Sequence, residues 1–180
     1  KSRRFLQPDQ IVQPHIVELR DVQFEADELR DYIHPIRLGE LFNQPMLELF
    51  HQFEQAKNFG SLIQPSLDES VIAEAQRFIE VKDPGGQLFL RETHRKVLLV
   101  LEQAQVLTHR YHVVVANPPY MGWRQFTDIL RAFAEVTYSE SRGDLYAMFI
   151  VQCARITYEG GFWGLITMQS WMFQSSFEDL

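Results

Sequence analysis

The sequence contains little cysteine, no long apolar run and fewer basic than acidic side chains. Its 180 residues include one cysteine, Cys153, which excludes an internal disulfide framework and a cysteine-rich zinc site. We expect this residue to pack inside a helix as a small apolar side chain. No apolar run reaches the roughly 18 to 20 residues that a membrane-spanning helix needs. These absences favour a protein of a reducing, cytoplasmic compartment that does not cross a membrane.

The net charge limits how this chain can bind a nucleic acid. It has 17 lysines and arginines against 24 aspartates and glutamates, a net charge of −7. Domains that bind DNA or RNA through their own surface are usually basic. Any action on a nucleic acid would therefore need a small pocket here, or a basic surface elsewhere in a longer protein. The six histidines show no His-Glu-x-x-His arrangement or other ligand spacing, so we predict no metal site.

Residues 1–107 are predicted to form a mainly helical region. An early segment that includes Ile16 and Val22 indicates a strand, because its apolar residues partly alternate with polar ones. Apolar residues then recur at helical spacing along most of the region. A Pro-Gly turn at residues 83–86 precedes a long predicted helix over residues 88–107.

The pattern changes in residues 108–180. Residues 113–116 are a short apolar run rich in β-branched side chains, which is typical of a parallel strand buried on both faces. Two helices are predicted next, the second capped by Asp144. A turn at residues 160–161 then leads to a second buried strand over residues 162–168. This order of strand, helix, helix and strand predicts an α/β fold.

An Asn-Pro-Pro-Tyr motif directly follows the first predicted strand and carries the chemistry of the chain. Pro118 and Pro119 remove two amide donors and stiffen the backbone, while Asn117 adds a side-chain acceptor. Tyr120 offers a flat face for stacking. These groups suit a planar substrate whose amine is held with its lone pair towards an electrophile. The same residues are also consistent with a turn that merely ends the strand.

Several segments resemble those of a known enzyme family. Residues 112–122 (HVVVANPPYMG), 144–149 (DLYAMF) and 160–172 (GGFWGLITMQSWM) resemble successive motifs of S-adenosylmethionine-dependent amino-methyltransferases. Their combination resembles the PglX-type adenine-specific DNA methyltransferases of BREX phage-defence systems. Residues 59–63 (FGSLI) also resemble a segment of these enzymes and of related large restriction-modification proteins.

The resemblance implies a fold and an activity. The fold would be the second half of a Rossmann-like methyltransferase sheet, preceded by a mainly helical insertion. The activity would be that of a site-specific DNA methyltransferase (adenine-specific, EC 2.1.1.72) in phage defence or restriction-modification. A methyl group would pass from S-adenosylmethionine to the N6 amine of an adenine flipped out of the duplex. Double-stranded DNA would be bound by the full-length protein, with defence-system proteins as further partners, in the prokaryotic cytoplasm.

The resemblance also implies roles for individual residues. Asn117 and the carbonyl of Pro118 would hold the adenine amine, and Tyr120 would stack on the base, with Pro119 completing the motif. Asp144 would either line the pocket or cap the following helix. Trp171 would be either a pocket wall or part of the core.

One departure from the family concerns the cofactor. The glycine-rich acidic loop that binds S-adenosylmethionine is missing, and the turn at residues 83–86 lacks the Gly-x-Gly spacing and the preceding buried strand. We interpret this turn as an ordinary connection. The chain begins at Lys1 and ends at Leu180 without a tail. We therefore expect an internal piece of a longer protein, which alone neither binds the cofactor tightly nor methylates DNA.

Two alternatives to DNA methylation stay open at this point. The planar amine could belong to an RNA base or a protein glutamine, because such methyltransferases also use the Asn-Pro-Pro-Tyr motif. The helical residues 25–107 could instead be an interaction module that docks partner subunits, without catalysis in this chain.

Overall fold

The computed structural model describes residues 14–36 and 43–173, which form seven α-helices and two β-strands. Among the described residues, no helix combines the length and apolar character that a membrane crossing requires. The helices are α1 (Glu28–Ile36), α2 (Gln44–Gln52), α3 (Ala56–Phe59), α4 (Glu69–Glu80), α5 (Leu88–Thr108), α6 (Asp128–Thr137) and α7 (Leu145–Arg155). The strands are β1 (Tyr111–Ala116) and β2 (Thr157–Leu165), and short 3-10 turns cover Gly60–Leu62, Trp123–Gln125 and Gln169–Met172.

The first five helices share one hydrophobic core, as the helical spacing predicts. Its largest fully buried side chains include Tyr32, Phe50 and Phe53. The strand predicted near Ile16 and Val22 is wrong, because residues 14–25 adopt no regular secondary structure. The Val22 amide donates to the Phe53 carbonyl at 3.0 Å. This segment therefore lies against helices, and its alternating apolar residues meet no neighbouring strand.

The two strands are parallel neighbours. Val113 pairs with Phe162 and Ala116 with Leu165. The prediction that residues 160–161 form a turn before a separate strand is wrong, since both lie inside β2. The register is irregular between Tyr111 and Val113, and Gly160 has a φ of +76°. These glycines therefore form a bulge that lets β2 continue past the extra residues.

The strands are not buried on both faces, contrary to the prediction. The side chains of Val113, Val115 and Phe162 are 61%, 79% and 75% exposed. On the opposite face, Leu165 packs against the buried Tyr146, Ala147 and Ile150 of α7, and no described helix layer buries the exposed face. Cys153 is buried in α7 as predicted, and burial raises the pKa of its thiol.

Residues 59–63 pack the helical region against α6 and α7. Leu62 is buried in a second core cluster together with Phe126, Leu130 and Met148. The rings of Phe59 and Phe133 stack with centroids 4.1 Å apart. The division of the chain at residues 107 and 108 stays a prediction, but the helical region contributes side chains to the packing of α6 and α7.

Candidate active site

Two of the three segments with predicted site residues follow the two strands and lie at one edge of the sheet. The Asn-Pro-Pro-Tyr motif follows β1, and residues 166–172 follow β2. Parallel strands bring their carboxyl ends to the same edge, where ligands of open α/β sheets bind. The Ile166 amide donates to the Ala116 carbonyl at 3.3 Å, which extends the pairing past the end of β2. The sequence therefore predicts correctly that these segments are neighbours.

Tyr120 is attached at its hydroxyl end and exposed elsewhere. Its hydroxyl donates to the backbone carbonyl of Ile166 at 3.1 Å. Its ring meets that of Tyr146 at an interplanar angle of 84°, with centroids 6.2 Å apart. The side chain nevertheless remains 48% exposed. An aromatic ring that is held at one end and open to solvent can stack on a planar ligand.

The three residues before Tyr120 alternate in burial. Asn117 and Pro119 are exposed, whereas Pro118 is buried. Neither proline has an N–H group, so neither can donate a ladder hydrogen bond to the neighbouring strand. The strand therefore ends at Ala116. The roles of Asn117, Pro118 and Tyr120 towards a substrate stay predictions.

Asp144 is the N-cap of α7, which confirms one of its two predicted roles. Its side chain accepts from the Tyr146 amide at 3.3 Å, and the Leu145 amide donates to the Met121 carbonyl at 2.9 Å. Burial raises the pKa of the Asp144 carboxyl, although hydrogen bonds from backbone amides oppose this rise. Asp144 and Gly122 also form an isolated antiparallel bridge. Backbone contacts therefore join the start of α7 to the residues after the motif, while the role of the Asp144 side chain in lining a pocket stays a prediction.

Trp171 is half-buried and packs against α7. Its indole N–H donates to the Thr167 hydroxyl at 3.1 Å, and its ring contacts the cluster formed by Tyr146, Ala147 and Ile150. These contacts agree with the predicted role in the core. Its role as a pocket wall stays a prediction.

Sequence reasoning assigned no role to two further residues at this edge, Tyr146 and Ser170. Tyr146 is 2% exposed, and its hydroxyl lies 3.0 Å from the Ser170 hydroxyl. A buried tyrosine hydroxyl usually finds a hydrogen-bond partner. A tyrosine near the start of a mainly apolar helix is therefore a signal in the sequence, but its partner is visible only in the structure, where the segment after β2 folds back onto α7.

The metal-binding side chain types and the turn at residues 83–86 bear on which groups this chain could bind. Among the described residues, no group of three His, Cys, Asp or Glu side chains could hold a metal ion. The turn at residues 83–86 connects two helices, and its Gly85 amide donates to the Asp83 side chain at 2.8 Å. The Gly85 carbonyl accepts from Arg91 at 2.8 Å. The turn is thus an ordinary connection between α4 and α5, as predicted.

Comparisons with known proteins agree with the motifs. Residues 24–180 match the family described as Eco57I restriction-modification methylase. The chain is 38% identical over 129 residues to the adenine-specific methyltransferase BrxX of Escherichia coli O9:H4 (strain HS), covering 71% of this chain and 11% of BrxX. It is 26% identical over 173 residues to the adenine-specific methyltransferase PglX of Lacticaseibacillus casei (strain Zhang), covering 93% of this chain and 14% of PglX. The chain thus spans a small part of these relatives.

Proposed function

Because this chain belongs to the Eco57I restriction-modification methylase family, we propose that it forms the substrate-amine side of the active site in an adenine-specific DNA methyltransferase. The observation that carries the proposal is that Asn117 is exposed and the ring of Tyr120 is half-exposed in the motif that follows β1. Two relatives are named adenine-specific methyltransferases. A planar base with an exocyclic amine matches the acceptors and the aromatic ring at this edge.

We infer that the amine is activated by position rather than by a covalent nucleophile. The side-chain oxygen of Asn117 and the carbonyl of Pro118 would accept the two N–H bonds of the adenine amine, directing its lone pair out of the base plane. Such preorganised acceptors stabilise the positive charge that develops on nitrogen during transfer. S-adenosylmethionine, which methyltransferases of this family use, would supply a methyl group made electrophilic by its sulfonium sulfur.

Tyr120 would hold the flipped base by stacking. Stacking of one base on an aromatic side chain contributes about 1–3 kcal/mol, which offsets part of the few kcal/mol lost when the base leaves the duplex. The hydroxyl bond to Ile166 limits rotation of the ring. The base would therefore stack on a ring of defined orientation, three residues after Asn117 in the same motif.

The rest of the reaction would depend on parts of a longer protein. This chain spans 11% and 14% of the two relatives, and its net charge of −7 disfavours contacts with DNA phosphates. We propose that the cofactor loop, the target-recognition region and any contacts with defence-system proteins lie outside it. The exposed Val113, Val115 and Phe162 support a larger Rossmann-like sheet, in which other elements would cover this apolar face.

The test compares methyl transfer by the unchanged full-length protein with methyl transfer by its Asn117→Ala variant. Incorporation of labelled methyl groups is measured on DNA, RNA and protein substrates. We expect labelling of adenine in DNA by the unchanged protein, and a loss of about 100-fold or more in the variant, because one preorganised group can contribute that much. Asn58→Ala, which changes an exposed asparagine in α3, is the matched control and should retain activity.

Two results would overturn the proposal. One is undiminished DNA methylation by Asn117→Ala, and the other is labelling of RNA or protein without DNA. A separate calorimetric titration of the 180-residue chain with S-adenosylmethionine tests where the cofactor binds. Tight binding by this chain would contradict the inferred location of the cofactor loop outside it.

A further inference from the structure

We propose that Tyr146 is a positioning residue, which fixes the ring of Tyr120 through a hydrogen bond to Ser170. The proposal rests on the proposed function, because it concerns how the stacking platform is held for a flipped base. Tyr146 does not itself need to touch the substrate. Its ring lies against Tyr120, and its hydroxyl lies on the segment that also holds the Tyr120 hydroxyl.

The segment after β2 holds both tyrosines within five residues. The Ile166 carbonyl accepts from Tyr120 at 3.1 Å, and the Ser170 hydroxyl pairs with Tyr146 at 3.0 Å. Between them, Thr167 accepts from the Trp171 indole at 3.1 Å. Residues 166–171 therefore form a clasp that joins the end of the motif to α7. The orientation of Tyr120 depends on the position of this clasp.

Tyr146 is well placed to hold the clasp, because its own position is fixed by the core. Tyr146 is 2% exposed and belongs to the first turn of α7. Its backbone amide donates a hydrogen bond to the side chain of the N-cap residue, Asp144. Tyr120, in contrast, is 48% exposed. The buried Tyr146 thus supports the exposed Tyr120, directly through the contact between their rings and indirectly through Ser170 and the clasp.

Removal of the Tyr146–Ser170 bond should change how the base is held more than how the cofactor is bound. A buried hydroxyl without its partner loses a hydrogen bond, and the clasp loses its polar contact with α7 while the packing of Trp171 remains. The Ile166 carbonyl can then shift away from the Tyr120 hydroxyl. The ring gains freedom, so the flipped base is stacked for a smaller fraction of the time.

The experiment uses the full-length protein and a duplex containing its methylation site. Replacement of the target adenine by 2-aminopurine reports flipping through fluorescence, independently of methyl transfer. We expect Tyr146→Phe and Ser170→Ala each to raise the KM for DNA and to lower the flipped-base signal roughly threefold to tenfold, the equivalent of one hydrogen bond. The KM for S-adenosylmethionine should stay unchanged, and the double variant should lose no more than either single one.

Two further variants separate positioning from general damage. Ser170→Thr keeps a hydroxyl group and should restore most of the signal. Tyr111→Phe removes a hydroxyl that donates to the Val106 carbonyl at 2.9 Å, at the opposite end of β1, and should leave flipping unchanged.

Additive losses in the double variant, or unchanged flipping and KM in both single variants, would overturn the positioning role. The proposed function would still stand in that case if Asn117→Ala abolished DNA methylation. Retained methylation by Asn117→Ala would instead remove the function on which the inference rests.

Discussion

The hydroxyl of Tyr138 lies 2.7 Å from the backbone carbonyl of Leu62, a residue that precedes it by 76 positions. Both side chains are buried. Burial raises the pKa of Tyr138 to about 12, so the hydroxyl stays protonated and donates at neutral pH. Gln152 lies beside this pair, with its side-chain oxygen 3.0 Å from the same hydroxyl. A buried polar contact therefore connects the helical region to α6 and α7.

Tyr138→Phe should lower the free energy of unfolding of the 180-residue chain by about 1–3 kcal/mol, because the Leu62 carbonyl loses a buried partner. Urea unfolding followed by circular dichroism measures the change. Tyr158→Phe is the matched control, since Tyr158 is 43% exposed. Equal stability of the two variants would show that the contact does not stabilise the packing of the helical region on α6 and α7.

Local patterns predicted most of the elements, because their causes are local. The helical spacing over residues 88–107 corresponds to α5 (Leu88–Thr108), and the β-branched run at 113–116 lies in β1. The bulge in β2 escaped prediction because Gly160 and Gly161 are typical of turns. Their place inside a strand depends on pairing with β1, a contact about 50 residues distant in sequence. The missing strand near Val22 has the same kind of cause, because neither strand of the described residues pairs with it.

The location of the candidate site could be predicted from the sequence, but the hydrogen bonds that hold its side chains could not. The position of the Asn-Pro-Pro-Tyr motif after a parallel strand is sufficient to place it at a ligand-binding edge. The hydrogen bonds of Tyr120 to Ile166 and of Tyr146 to Ser170 join residues 46 and 24 positions apart. No periodicity in the sequence encodes such contacts, since they depend on how the segment after β2 folds back over α7.

The buried carboxylate of Glu28 stabilises the packing of α1 on α5. It is 4% exposed and accepts from Lys96 at 2.9 Å and from the Thr93 hydroxyl at 2.8 Å. Burial alone would raise the pKa of Glu28. The hydrogen bonds from Lys96, the Glu25 amide and Thr93, together with the charge of Lys96, outweigh this effect and lower the pKa below its ordinary value.

Glu28→Gln should therefore destabilise the chain in a pH-dependent way. The pKa of Glu28 is lower in the folded chain than in the unfolded chain, where it is about 4.3. The ionised carboxylate therefore stabilises the fold fully above a pH of about 4.3, and this stabilisation is lost as the pH falls through the folded-state pKa. At pH 7 we expect a loss of about 1.5–3 kcal/mol in the free energy of unfolding, the range for hydrogen bonds to a charged group. Urea unfolding at pH 7 and near pH 3 should show the difference from the unchanged chain shrinking in acid. Glu48→Gln, at an exposed position of α2, is the control, and a loss that is equal at both pH values would contradict the prediction.

Gly161 and Gly164 both lie in β2 but differ in the space around them. A Cβ atom on Gly161 would lie 2.8 Å from the Thr157 methyl carbon and 2.9 Å from the backbone carbonyl oxygens of His112 and Tyr158. A Cβ atom on Gly164 would meet no atom within 4 Å. The close approach at Gly161 occurs at the bulge that sets the pairing of Val113 with Phe162.

Gly161→Ala should therefore lower the free energy of unfolding of the 180-residue chain by about 1–3 kcal/mol, the cost of an overpacked site, whereas Gly164→Ala should change it by less than about 0.5 kcal/mol. Thermal and urea unfolding of the two variants measure the difference.

The register set by the bulge also places Ala116 opposite Leu165, next to the carbonyl of Ile166 that holds Tyr120. In the full-length protein, Gly161→Ala should thus reduce flipping of 2-aminopurine even where the protein remains folded. If Gly161→Ala is as stable as Gly164→Ala, the bulge tolerates a side chain and does not control the geometry of the Tyr120 platform.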